Sequence, residues 1–360
     1  MLLAAGGTGG HLFPAEALGT ELIKRGFRVR LVTDERAARY TGLFSKDMLD
    51  VVPSETIRGR DPLSLARTGI MLTAGMAASV ALMSRLKPTA VIGFGGYPTL
   101  PPLFAAKLFG IPTIIHDSNA VLGRANRLLS SRVNAIATSL PGVFDRDPAL
   151  AGKAMVTGTP MRPAILSAAS VPYAAPDLSG PVKILVVGGS QGARIMADIV
   201  PPAIERLEPA LWRRLQLTQQ VRDEDMARVR AVYDKLKIKT ELAPFFGDLP
   251  ARLASSHLVV SRSGAGTVAE LAAIGRPSIL VPLPGAIDQD QFANAGVLSS
   301  AGGAIRIPQS EFTPDRLAAE ISALAAEPSR LVDMAKNARG AGKLDAAERL
   351  ADLVAKVAKI

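Results

Sequence analysis

No cysteine occurs in the 360 residues, which excludes a disulfide framework, thiolate catalysis and any cysteine-ligated metal. Aromatic residues make up only 4%, with a single tryptophan, so a base-stacking nucleic-acid surface has little to build on, and no nucleic-acid motif is present. Histidine is scarce as well: His11, His116 and His257 are the three groups whose ordinary titration falls near neutral pH. Thr68 to Ser84 runs 17 residues without a charge, approaching the length of a membrane span, but Thr, Ser and Gly dilute it. No secretory leader is read at the N-terminus, where a stub of strand from Leu2 to Ala5 begins at once; the stub is short enough to expect a start misplaced by a few residues. A cytoplasmic location is the default expectation.

What is present is aliphatic. Apolar residues reach 48%, mostly Ala, Leu, Val and Ile, a composition that suits parallel strands covered by helices. The length predicts two domains, each large enough for a core of its own. The net charge of +10 is uneven, with 18 Lys and Arg against 11 Asp and Glu in residues 1–160 and near balance afterwards. A basic N-terminal half with few aromatics favours an anionic membrane surface over nucleic acid as its partner.

The sequence is organised around Gly6-Gly7-Thr8-Gly9-Gly10-His11, between the first strand and an amphipathic helix expected from about Pro14. Glycines there let the backbone turn sharply and approach a ligand, and the following helix directs unpaired N–H groups and its positive dipole end to the same place. Alone, such a unit is equally a tight structural turn. A second copy sits about half the chain away: the apolar run Lys183 to Val187 leads into Gly188-Gly189-Ser190-Gln191-Gly192-Ala193 and another helix. Two similar strand–loop–helix turns, one per half, predict two Rossmann-like domains whose anion cradles face each other.

Apolar runs predict strands over 28–33, 89–94, 112–116, 134–138 and 154–158, with helices over 14–25, 98–109 and 120–131, hence a parallel sheet with right-handed crossovers. Ligands of such sheets bind beyond the carboxyl ends of the strands. A stretch rich in Pro, Ala and Ser over 161–181 reads as the linker, dividing an N-terminal domain, 1–160, from a C-terminal domain, 182–343. The second half repeats the pattern with strands near 182–187, 214–219, 257–261, 277–281 and 304–307. It closes with helices over 314–326, 328–339 and 344–358. The last, spanning most of 344–360, has an apolar stripe suited to packing across both domains. The Thr68–Ser84 segment, fringed by Arg58, Arg60, Arg67, Arg85 and Lys87, is either a helix whose exposed face dips into a bilayer or an ordinary buried helix.

His11 and His116 fall at strand ends of the same expected crevice, with Asp117 and Asn119 beside the latter. His11 suits a general base, His116 a buried orienting group, and Asp117 is a second candidate proton acceptor; His257 precedes a strand and reads as structural. In the second half, Ser261-Arg262-Ser263-Gly264-Ala265-Gly266-Thr267 opens a helix that places Glu270 one turn in, fit for a diphosphate and ribose hydroxyls. The alternative is a plain helix start with Ser263 as N-cap. Asp288-Gln289-Asp290 and Asp223-Glu224-Asp225 match a short Asp-x-Asp pattern used by some enzymes for metal. At the first, sugar hydroxyls gripped by Asp290, Gln291 and Asn294 are the favoured reading over a divalent ion.

Together these motifs resemble one family, the peptidoglycan N-acetylglucosaminyltransferases that convert lipid I to lipid II. The resemblance spans essentially the whole chain. It rests on Gly6 to Pro14, Gly93-Phe94-Gly95-Gly96-Tyr97-Pro98, Gly158-Thr159-Pro160-Met161-Arg162, Gly188 to Ala193, Arg262 to Ala265 with Thr267 and Glu270, and Asp288 with Gln291 and Asn294. The chain departs from the family's usual His-Glu-Gln-Asn at His116-Asp117-Ser118-Asn119, and Asp290 stands where Gln or His is usual.

The resemblance implies an α/β GT-B fold, UDP-N-acetylglucosamine held mainly by the C-terminal domain, no cofactor and no required metal. By motif, Ser190 contacts the diphosphate region and Arg162 lies near the UDP. Phe246 meets uracil through its backbone, and Ala265, Thr267 and Glu270 line the diphosphate and ribose. Asp290 and Gln291 bind sugar hydroxyls, while Thr8, Gly9, Gly10 and Asn119 approach the sugar from the other domain. The implied reaction is an inverting transfer to lipid I with His11 or Asp117 as base, on the cytoplasmic face of the inner membrane. The alternatives are a UDP-N-acetylglucosamine 2-epimerase and a non-catalytic nucleotide-sugar-binding protein. A dehydrogenase is disfavoured because neither loop fits Gly-x-Gly-x-x-Gly.

Overall fold

The structure, a computed structural model, describes the chain apart from residues 7–8, 36–41, 55–61, 145–146, 190 and 286–288, and apart from the side chains of 62–68. Thr8, Ser190 and Asp288, and the arginines at 58, 60 and 67, therefore lie outside the described residues or side chains. Two compact units are present, one formed by Met1–Arg162 with Lys343–Ile360 and the other by Pro163–Gly342.

In the N-terminal unit, strands β1 (Leu2–Ala4), β2 (Arg30–Thr33), β3 (Leu49–Val51), β4 (Val91–Gly93), β5 (Thr113–Asp117), β6 (Ala135–Thr138) and β7 (Ala154–Val156) form a parallel sheet in the order β3-β2-β1-β4-β5-β6-β7. The chain winds outward from β1 to β3, then returns to β4 on the other side of β1. The carboxyl ends of β1 and β4 therefore flank the topological switch point, where an open sheet leaves a crevice. Leu2, Leu3, Ala4, Ile92, Ile114 and Ile136 are fully buried, as expected of strands covered on both faces.

The C-terminal unit repeats the plan. Strands β8 (Val182–Val187), β9 (Leu215–Gln220), β10 (Lys239–Ala243), β11 (Leu258–Ser261), β12 (Ser278–Leu280) and β13 (Ala304–Arg306) pair in the order β10-β9-β8-β11-β12-β13, again all parallel. Here the switch point lies between β8 and β11. The helices expected late in the chain form as Pro314–Ala326, Pro328–Ala341 and Ala346–Ala358. The last buries Leu350, Ala351, Leu353 and Val354 in the N-terminal core, and Asp352 pairs with Arg25 at 2.6 Å.

Two strands escape the sequence reading, β3 and β10. Both are edge strands, Leu-Asp-Val and Lys-Thr-Glu-Leu-Ala, with half-exposed side chains and no continuous apolar run to announce them. Two helix boundaries also differ. The helix expected from 120 begins at Arg124. The first helix runs Gly9–Lys24, so Gly9, Gly10 and His11 form its first turn and Pro14 lies inside it. A proline there donates no N–H, which leaves the Gly10 carbonyl without its helical donor.

Candidate active site

In the N-terminal unit the site is built at the carboxyl ends of β1, β4 and β5. His11 is half-buried and packs against Gly95 and Gly96, whose φ angles of +94° and +80° belong to glycine. A Cβ on Gly95 would stand 3.1 Å from His11 Cε1 and 3.3 Å from Nδ1, so the glycine pair makes the space the ring occupies. The Phe94 carbonyl stands beside the His11 ring as a hydrogen-bond acceptor. Burial holds the His11 pKa below its ordinary 6.5, against the opposing pull of Asp117 and of the Phe94 bond.

His116 is fully buried at the end of β5. Its Nε2 lies 3.0 Å from the Gly158 carbonyl and 3.4 Å from Ser139 Oγ, which in turn accepts from Thr159 Oγ1 at 2.7 Å. Burial lowers its pKa as well. This ring ties β5 to the Thr157–Thr159 strand exit, an orienting role.

Asp117, only 3% exposed, is enclosed by donors. Oδ1 accepts the Asn119 backbone N–H at 3.0 Å, with Asn119 Nδ2 at 3.5 Å, and Oδ2 accepts Gly123 N–H at 2.8 Å and Asn126 Nδ2 at 2.9 Å. The carboxylate thus fastens the loop from Asn119 to Gly123 and fixes Asn119. Asn126, absent from the sequence reading, also donates to the His116 carbonyl at 3.0 Å. The one signal available was an amide in an otherwise buried turn of helix Arg124–Ser130. Arg162 stacks its guanidinium 3.7 Å above the Phe13 ring on the first helix.

In the C-terminal unit the loop after β8 is tight by construction. A Cβ on Gly188 would sit 2.2 Å from the Ala193 backbone nitrogen, and Gly189 and Gly192 have φ of +92° and +67°. Gln220 accepts the Gly188 N–H at 2.9 Å, while Arg222 donates to the Gln191 and Gly192 carbonyls at 3.2 and 3.1 Å. Helix Arg194–Glu205 then begins on Ala193 with no side-chain cap. Across the switch point, helix Ala265–Ile274 begins on Gly264, also without a side-chain cap, so no serine hydroxyl takes up its first N–H groups. Ser263 is therefore not the N-cap; its hydroxyl donates to the Gln291 carbonyl at 2.8 Å. Ala265, Thr267 and Glu270 are half-buried on that helix, with Thr267 and Glu270 one turn apart.

Gln291 uses its side-chain oxygen on the Leu283 N–H at 3.1 Å and its own N–H on Asp290 Oδ1 at 2.7 Å, bracing the turn between β12 and helix Asp290–Ser300. Arg262 is buried and donates to the Val281 and Pro282 carbonyls and to Gln309 Oε1, with burial lowering its pKa. Phe246 is buried after β10, with Arg252 4.3 Å over its ring and that arginine gripped by Glu241 and Asp248. Asp225 is buried against Arg228 at 2.6 Å rather than solvated, and among the described residues no three His, Asp or Glu side chains gather as a metal cluster.

Gly188→Ala should cost about 1–3 kcal/mol, because the added methyl meets backbone that has no rotamer to move away. Gly247→Ala, with open space around it, is the matched control. Urea unfolding that found the two variants equal would show that the β8 loop is not packed as described.

The N-terminal domain of glycosyltransferase family 28 matches residues 1–138, and the family's C-terminal domain matches residues 183–350. A protein of Bradyrhizobium diazoefficiens named UDP-N-acetylglucosamine--N-acetylmuramyl-(pentapeptide) pyrophosphoryl-undecaprenol N-acetylglucosamine transferase is 80% identical over 358 residues, 99% of this chain and 98% of its own. A protein of the same name from Rhodopseudomonas palustris is 76% identical, covering 100% of this chain and 96% of its own. Among solved structures, that of Acinetobacter baumannii MurG is similar at 29% identity and a TM-score of 0.78, over 99% of both chains.

Proposed function

The chain belongs to glycosyltransferase family 28, with a GT-B fold, and from that premise we propose that it transfers N-acetylglucosamine from UDP-N-acetylglucosamine to the 4-hydroxyl of N-acetylmuramic acid in undecaprenyl-diphosphate-linked lipid I, giving lipid II. The observation that carries this reading is the 80% identity, over nearly the full length of both chains, to a transferase named for that chemistry. The geometry supports it at the level of parts. The C-terminal unit holds the donor, its diphosphate on the uncapped helix starts at Ala193 and Gly264, its ribose at Glu270 and its sugar hydroxyls near Asp290 and Gln291. In the same reading Phe246 meets the uracil and Thr267 the diphosphate.

The N-terminal unit receives the acceptor. His11, neutral at physiological pH and oriented by the Phe94 carbonyl, takes the proton as the hydroxyl attacks the anomeric carbon with inversion. Asp117 positions Asn119 and the loop beside it. Arg162, held on Phe13, is the cation that the family motif assigns to the UDP. Amide dipoles at the two helix starts stabilise the leaving diphosphate, so the reading calls for no metal and no cofactor.

The acceptor is lipid-linked, and the helix Pro62–Leu86 supplies a surface for it. Of its segment Gly69–Leu86, long and apolar enough by composition to cross a membrane, only 22% is buried, and Ile70 is 67% exposed. Leu82 and Met83 anchor its other face in the core, so we read it as lying on the anionic cytoplasmic leaflet. Of the basic fringe, Arg85 pairs with Asp50 at 2.6 Å.

The deciding assay combines the protein, UDP-N-acetylglucosamine and lipid I in anionic vesicles containing EDTA. UDP release with formation of the disaccharide lipid is expected, slower in zwitterionic vesicles. No release would remove the transferase reading, release abolished only by EDTA the metal-free part, and conversion of the donor to its C2 epimer without lipid I and without net UDP release would favour an epimerase.

A further inference from the structure

At the opposite end of the C-terminal sheet, toward the amino ends of its strands, a half-open cavity of about 390 Å³ lies between residues 169–173, the corner Ile274–Arg276 and helix Pro328–Ala341. That volume falls within the ~300–1,000 Å³ range of small-ligand pockets. Its floor is Arg276, 1% exposed. The guanidinium donates to the carbonyls of Val171, Leu253, Ala254, Ile274 and Gly275 at 2.6 to 3.2 Å. Four of these carbonyls close helices Leu249–Ser255 and Ala265–Ile274, whose negative dipole ends hold the cation. No carboxylate is bonded to it among the described residues, so the charge is solvated by dipoles without being neutralised.

The surroundings register that positive field. Burial lowers the Arg276 pKa, Arg339 acting in the same direction and Tyr173 against it. His257, whose carbonyl accepts the Tyr173 hydroxyl at 3.0 Å, is lowered by burial and then by Lys183 and Arg276. On the rim, Lys336 and Arg339 stand one helical turn apart. Arg339 donates through one nitrogen to the Ala273 carbonyl, whereas Lys336 is exposed and has no hydrogen bond or ion pair among the described residues. The lining contains these three cations and neither aspartate nor glutamate. Pro172, Val332 and Ala335 form an apolar wall beside them.

We propose that this cavity binds a small soluble anion bearing phosphate groups, contacted by Lys336 and Arg339 above the fixed positive floor of Arg276. A compact polyanion matches the chemistry: an ammonium at Lys336 free among the described residues, a guanidinium at Arg339 held by one bond, a lining with no carboxylate, and room for a small organic body against Val332.

The test is calorimetric titration of inorganic pyrophosphate into the full-length protein saturated with UDP, which occupies the diphosphate site proposed at the carboxyl edge. If UDP itself does not bind, the donor reading fails separately, and the titration still reports on this cavity. One further equivalent of pyrophosphate should bind, weakening as salt rises. Lys336→Glu should reduce affinity at least tenfold and Lys336→Arg should restore it, while Lys356→Glu, an equal charge change at an exposed position of the other unit, should leave it unaltered. Absence of binding, or equal weakening by Lys336→Glu and Lys356→Glu, would overturn the proposal.

Discussion

Replacing His11 with alanine lowers turnover by about 10²–10⁴-fold while the KM for UDP-N-acetylglucosamine changes little. The expectation follows from placement: the imidazole sits in the first turn of helix Gly9–Lys24, in space left by Gly95 and Gly96 and beside the Phe94 carbonyl. Such a ring loses a proton acceptor on mutation but no donor contact. The pH profile carries the same assignment. Burial depresses the His11 pKa, so the neutral, basic form persists below the ordinary value of 6.5, and the acid limb of kcat/KM should have its midpoint under that value. As pH falls through the depressed pKa the ring charges and turnover is lost; as pH rises past it, turnover reaches its plateau. A variant that retained turnover and lost only donor affinity would remove His11 from the base role.

Asp117→Asn is the second large effect, and it separates positioning from proton transfer. The native carboxylate accepts from the Asn119 and Gly123 backbones and the Asn126 amide inside a site 3% exposed. An asparagine offers one acceptor oxygen and turns an NH₂ toward the remaining donors. Each buried group left unpaired costs about 1–3 kcal/mol, so unfolding by urea should shift markedly toward lower denaturant. Turnover should fall with it, because Asn119 and the loop lose their fixed place. Residual activity should keep an acid limb, displaced to lower pH: removing the negative charge that raises the His11 pKa makes the ring harder to protonate. Were Asp117 the acceptor of the proton, the variant would lose its acid limb altogether.

The two candidates for the base stood level on sequence because both end up beside the same strand ends. Succession alone places them there, since a strand, a loop and a helix in a parallel sheet put every such loop at one edge. What separates them is the company of each side chain. Asp117 is enclosed by Gly123 and Asn126, six and nine positions away, and His11 is lodged against a loop more than eighty positions away. Neither arrangement leaves a periodic trace. The same holds for Ser263, whose spacing fits an N-cap and whose hydroxyl instead reaches the Gln291 carbonyl on the next helix. Arg276, which no sequence motif singles out, is buried by three converging segments.

The amino-acid sequence by itself determined the alternation of strands and helices, the repetition of a glycine-rich turn in each half and the late helices to within two residues at each end. Those features arise from hydrophobic periodicity and backbone freedom, both properties of neighbouring residues. The tertiary structure decided the edge strands β3 and β10, the helical first turn that carries His11, the enclosure of Asp117 and the unneutralised charge at Arg276. Each of these depends on which distant groups meet a polar atom once water is withdrawn, and that pairing is fixed only when the sheets have closed around it.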